Sequence, residues 1–169
     1  MEDQNFTYDV AGNLNANEFI RFDYVFGNWN TAADGSGTAY VDKATVKNLS
    51  ATNKDTVVLY AQWLKPLSHS DIIVPFIDEQ VYTGSAIIPE IVISDNGTVL
   101  TENVDYVLTF ANNVDPGKAT VTITGLGKYT GEVTLSFTIS EQTTVIRQKQ
   151  SPQIRVKAGK RFDLIGRRR

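Results

Sequence analysis

Gly117-Lys118-Ala119-Thr120-Val121-Thr122-Ile123-Thr124-Gly125 and, six residues further on, Glu132-Val133-Thr134-Leu135-Ser136-Phe137-Thr138-Ile139 decide the fold. Ala119, Val121 and Ile123 alternate with three threonines, and Val133, Leu135, Phe137 and Ile139 alternate with Thr134, Ser136 and Thr138. A period of two puts the apolar side chains on one face of an extended chain and the hydroxyls on the other. Tyr106, Leu108 and Phe110 form a third such face, and Ile91 with Ile93 a fourth. Turn residues separate the runs: Asn96-Gly97 suits a type I′ hairpin, which needs positive φ at both central residues. Pro116-Gly117 suits a type II turn, and Gly125-Leu126-Gly127 is a further break. Strands apolar on one face bury it by packing sheet on sheet, so residues 72–140 are expected to form a small β-sandwich.

Working outward, the chain is mainly β throughout. Val57, Leu59, Ala61 and Trp63 alternate with Val58, Tyr60 and Gln62, and Phe22, Tyr24 and Phe26 make another alternating face. Asp34-Gly35-Ser36-Gly37 reads as a loop. Residues 42–49 are expected to hold a turn of helix, weakened by valine and threonine. Leu64-Lys65-Pro66-Leu67-Ser68-His69-Ser70-Asp71 breaks both periodicities with a proline and small polar residues, so 65–71 reads as a linker between units 1–64 and 72–140. Residues 141–169 form a basic C-terminal segment.

The 169 residues are 41% hydrophobic and contain no cysteine, one methionine and one histidine. Zero cysteines excludes disulfides, thiolate catalysis and cysteine-ligated metal. A lone His69 leaves little material for acid–base work at neutral pH, and no apolar run approaches the ~20 residues needed to cross a bilayer. Met1-Glu2-Asp3-Gln4-Asn5 lacks the basic start and apolar stretch of a signal peptide. The net charge of −3 hides an asymmetry: nine of the 16 Lys/Arg lie in 147–169 with one acid, Asp163, which leaves seven bases and 18 acids before them. A body near −11 and a tail of +8 read as an interaction tail, or as a segment solvated beside an acidic body.

Phe26-Gly27-Asn28-Trp29-Asn30-Thr31-Ala32-Ala33-Asp34-Gly35-Ser36-Gly37-Thr38-Ala39-Tyr40, followed by Leu59-Tyr60-Ala61-Gln62-Trp63, resembles the Listeria–Bacteroides repeat of internalin-type bacterial surface proteins. The resemblance covers residues 1–63 and implies a β-grasp-like fold with a non-catalytic stalk or adhesive role. Asp23 and Asn28 stand where that family usually has glycine; both residue types tolerate left-handed backbone. The family's opening strand has no counterpart before Met1, so the module is expected to lack its first strand and to be open to strand complementation or self-association. Tyr82-Thr83-Gly84, Asp105-Tyr106, Asn112-Asn113, Gly117–Ile123 and Lys128-Tyr129-Thr130-Gly131 look like the immunoglobulin-like repeats of large bacterial surface proteins, over about residues 74–140. Gly159-Lys160-Arg161-Phe162-Asp163-Leu164-Ile165-Gly166-Arg167-Arg168 resembles the start of Bacteroidetes C-terminal sorting modules, with Ile165 in place of their usual Asn.

These resemblances imply an extracellular or cell-surface protein fragment with no enzyme activity, no cofactor and no metal. Its partners would be a host or cell-surface protein or glycan and neighbouring repeats of a longer chain. Trp29, Tyr40, Tyr60 and Trp63 are the candidate ligand-contact aromatics: exposed and coplanar they would stack on sugar rings, whereas the module's own small core also has use for them. Core packing is the favoured reading. Arg155, Lys157, Lys160, Arg161, Arg167, Arg168 and Arg169 would neutralise phosphates if the tail touched nucleic acid. An acidic body repels a duplex, and only Phe162 is available for base stacking. Asp34 and Asp42 lack the spacing of a calcium loop. Asp78 and Glu79, adjacent in a strand, point to opposite faces. Gly125-Leu126-Gly127 precedes no helix and so cradles no phosphate. His69 is expected to be exposed in the linker.

Overall fold

The computed structural model describes residues 1–142, in which all thirteen regular elements are strands. The first half holds β1 (Gly12–Asn13), β2 (Val25–Asn30), β3 (Ala39–Tyr40), β4 (Thr45–Val46) and β5 (Tyr60–Pro66). The second holds β6 (Ile72–Ile73), β7 (Gln80–Val81), β8 (Ser94–Asp95), β9 (Thr98–Val99), β10 (Tyr106–Ala111), β11 (Gly117–Gly125), β12 (Tyr129–Thr130) and β13 (Glu132–Ser140).

The two runs that open the sequence argument become β11 and β13, the paired centre of a four-stranded sheet of order β10-β11-β13-β7. Ile123 lies opposite Leu108 on one side and Val133 on the other, and Val121 opposite Phe110 and Leu135. Ala119, Val121 and Ile123 are fully buried, with Phe137 and Ile139 beside them. The hydroxylated face points outward, where the Thr122 and Thr134 hydroxyls lie 3.3 Å apart across the ladder. The apolar face is covered by Ile77, Ile87, Ile91, Ile93 and Leu100, most of them flanking a three-stranded sheet of order β6-β8-β9. Asn96 and Gly97 link β8 to β9 with φ of 46° and 83°, both positive as a type I′ turn demands. At the end of β11, a Cβ on Gly125 would stand 2.6 Å from the Thr130 amide nitrogen, which is why the chain can fold back there only with glycine.

The N-terminal half is thinner. Leu14, Trp29 and Val46 are its only buried apolar residues among those described, with Phe26, Tyr40, Ala44, Leu49, Leu59 and Ala61 packed around them. Its main sheet has the order β12-β5-β2-β3, while β1 and β4 form a separate two-stranded ribbon. A bulge at Gly27 shifts the β2–β5 register between Phe26 and Asn28. Two residues then oppose one, so Phe26 and Trp29, three apart, reach the same face. Their rings lie 5.1 Å apart and bury together. Phe19, Ile20 and Phe22 remain exposed.

Three local expectations are corrected. Residues 42–49 contain no helix but β4, bracketed by Lys43 and Asn48 at φ 58° and 54°. Two left-handed residues, each two positions outside a β-branched pair, are incompatible with a helical turn. The break expected at Leu64 does not occur, because β5 runs on through Lys65 and Pro66. Of the two glycine replacements, Asp23 does take left-handed backbone, at φ 60°, whereas Asn28 sits in strand β2.

Candidate functional site at the junction of the two halves

Strand β5 has a different neighbour at each end. Tyr60–Leu64 pair with β2, and Lys65 and Pro66 then pair, in parallel, with Tyr129 and Thr130 of β12. The Lys65 N–H donates to the Lys128 carbonyl at 2.9 Å and the Leu67 N–H to Thr130 at 2.8 Å. Alternate amides face β12, so the missing N–H of Pro66 falls on the other side, past the last β2 pair at Val25. A proline there costs no ladder bond. Leu67, expected in a linker, is 2% exposed within the core of the second half.

This continuity draws Lys65 into the interior, where it is 9% exposed. Its ammonium donates to Asp95 Oδ1 at 2.6 Å and Asp71 Oδ2 at 2.8 Å. The other Asp95 oxygen, Oδ2, accepts the Tyr129 hydroxyl at 3.0 Å. Burial alone would make Lys65 easier to deprotonate, but the hydrogen bonds and charges of Asp71 and Asp95 outweigh it and hold the pKa above the ordinary lysine range. The bond from Lys65 keeps the Asp71 carboxyl below its ordinary value. Burial, reinforced by the hydrogen bond to Asp95, pushes the Tyr129 phenol up to about 12.

His69 closes one side of the cluster. It is not exposed: its side chain is 12% accessible and its ring meets Tyr24 edge-on at 5.6 Å. Nδ1 accepts the Asp71 backbone N–H at 3.2 Å. Arg21 in turn lies 3.7 Å over the Tyr24 ring. Ammonium, carboxylates and phenol are turned on one another rather than towards a cleft. That is the geometry of a clasp joining β5, β6's approach, β8 and β12.

Tyr129 gives a direct readout. A raised phenol pKa means the folded protein holds that proton more tightly than the unfolded chain. The associated stability is therefore intact below pH 10 and is lost as pH rises towards 12. Phenolate absorbance during alkaline titration should show two of the seven tyrosines ionising late: Tyr106, whose phenol burial and the nearby Glu102 and Asp105 push up, and Tyr129, near pH 12. Asp95→Asn should bring the Tyr129 transition down.

The four candidate aromatics do not share a face. Trp29 pairs with Tyr40 and Ala61, and Phe26 with Trp63, all on the side of the thin core. Trp29 is 4% exposed, Tyr40 is half-buried against it, and Trp63 meets Phe26 edge-on at 5.8 Å. Tyr60, opposite Asn30, is on the other face and exposed. Asn30 is instead the organiser of the next loop: its Nδ2 donates to Gly35 and Gly37 carbonyls, and its Oδ1 accepts the Ala32 N–H. Asp34 accepts from the Ser36 amide and hydroxyl, which lowers its pKa, and Asp42 accepts from the Asn17 amide. The basic residues Arg155 to Arg169 lie outside the described residues. No sequence signal marked Lys65, Asp71, Asp95 and Tyr129 as a group; the available hint was a lysine within the apolar run Leu64 to Leu67. No family model matches this chain, and neither a curated protein nor a solved structure matches it.

Proposed function

We propose that this chain is a non-catalytic structural or adhesive pair of modules from a bacterial secreted or cell-surface protein. In this reading a Listeria–Bacteroides repeat-like β-grasp module leads directly into an immunoglobulin-like one, and the flanking partners are further repeats of a longer chain. The observation that carries it is the clasp. A stalk must transmit orientation and load from one module to the next, and a junction made of a shared strand pair and a buried ion pair does so. A flexible tether would not. The parallel pairing of β7 with β13, near opposite ends of the second unit, adds a contact that a pull along the chain loads in shear. The edge of β5 over Ala61–Trp63, without a ladder partner among the described residues on the side away from β2, supports strand complementation at the first module.

Single-molecule stretching of the chain between handles tests the load-bearing part. Expected is unfolding of the two halves in one event, or in two events of comparable force, with the N-terminal half yielding early in Lys65→Met. A wild-type N-terminal half that extends at near-zero force would refute it. Antibodies raised against residues 1–142 test location: labelling of intact cells of the source bacterium is expected, and labelling only after permeabilisation refutes a surface role.

A further inference from the structure

The second half carries an open strand edge with a groove beside it. Among the described residues, β10 is the terminal strand of its sheet, paired with β11 alone. The Leu126 N–H donates to the Asp105 carbonyl, while the Tyr106 carbonyl turns the other way to accept from Asn103. Odd-numbered residues of this strand therefore face β11, and Leu108 and Phe110 direct their N–H and C=O groups outward. Edge strands are normally guarded by proline, lysine, a bulge or extreme shortness. Tyr106-Val107-Leu108-Thr109-Phe110-Ala111 has six residues and none of these guards within its own sequence, and what lies alongside it is a loop held only at the two ends.

Residues 87–91 run past this edge in the opposite direction and are pinned to its two ends. Asn113 exchanges two hydrogen bonds with the Ile87 backbone, and the Tyr106 hydroxyl reaches the Ile91 carbonyl at 3.3 Å. Between the pins lies a groove of about 570 Å³, with Leu108, Phe110 and Leu100 along it and the exposed Ile88 and Val99 at its rim. Among the described residues its charged lining is Glu90 and Glu102, with no lysine or arginine. Residues 72–140 as a whole hold eight acids and two bases.

We propose that the β10 edge is a docking site for an extended segment of another polypeptide in which apolar residues alternate with lysine or arginine. Its backbone would add a strand beside Leu108 and Phe110, its apolar side chains would enter the groove, and its cations would meet Glu90 and Glu102. Charge selects this occupant over a second copy of the same face, because pairing two β10 edges would bring glutamates against glutamates.

The test uses the full chain and a fluorescein-labelled nonapeptide of alternating valine and lysine, read by fluorescence anisotropy. Saturable binding is expected, with Kd raised about tenfold by Glu90→Lys with Glu102→Lys and raised again at high salt. Methylating the peptide's amides on one alternate set should abolish binding, and on the other set should leave it nearly unchanged, since only one edge of the added strand meets β10. Amide resonances of Leu108 and Phe110 should move on titration. The proposal is overturned by absent binding, by equal binding of a valine–glutamate peptide, by equal effects of the two methylation sets, or by shifts confined to other residues. Self-association of the peptide-free chain that the two glutamate substitutions abolish would overturn it in favour of a homodimer.

Discussion

Replacing Lys65 by alanine should lower the unfolding free energy by about 3 kcal/mol, the cost of leaving a partly buried carboxylate without its cation. Asp95, with an 18% exposed side chain, accounts for most of this, because Asp71 is 44% exposed and water replaces much of what it loses. The N-terminal half should suffer first. Its three buried apolar residues are a small core, and it depends on what β5 and Leu67 gain from the other half. Urea unfolding followed by tryptophan fluorescence reports on that half specifically, since Trp29 and Trp63 are the two tryptophans and both belong to it. Lys65→Met with Asp95→Leu and Tyr129→Phe should recover much of the loss, as apolar replacement of the partners removes the unpaired charge and leaves no phenol without its acceptor. A triple variant no more stable than Lys65→Ala would show that the strand pairing, not the ion pair, carries the junction. The pH dependence has two limbs. Asp71, held below its ordinary pKa, stabilises the fold above pH 3.8, and this is lost as pH falls below that value. Lys65, held above its ordinary pKa of 10.5, stabilises below that value, and this is lost as pH rises beyond it.

The second large effect belongs to the centre of the other half. Ile123→Ala should cost about 4 kcal/mol, because its side chain is wholly buried between Leu108 and Val133 and the surrounding sheet cannot collapse into the gap. One residue earlier, Thr122→Ala should cost under ~1 kcal/mol, as that hydroxyl faces outward and meets only Thr134. Chemical denaturation of both variants checks the register as well as the energetics. A slip of one residue would exchange the two outcomes.

Reading these strands from the sequence worked where burial is one-sided. In β11, apolar and hydroxylated residues alternate without interruption, so the local pattern already states which side meets the core. The Asn96-Gly97 hairpin was equally legible, because few residues accept positive φ twice in succession. The pattern failed where a contact was non-local. Pro66 signals a break in the local code, yet its absent amide points where no partner strand stands. Residues 42–49 carried a weak helical reading that pairing with Gly12 and Asn13 overrode. The bulge at Gly27 brought Phe26 onto the face of Trp29, a non-local shift, whereas plain alternation along β5 already set Tyr60 on the face opposite that of Ala61 and Trp63.

Amino-acid order by itself determined that the chain is mainly β, which faces of its long strands are buried, and where its tightest hairpin turns, since each follows from the alternation or dihedral preference of neighbouring residues. Only the tertiary structure decided that Lys65 meets Asp95 thirty residues away, that His69 is covered by Tyr24, and that β10 ends its sheet among the described residues. Those outcomes depend on which strands become neighbours, and a strand's neighbours are chosen by the whole sheet rather than by its own residues.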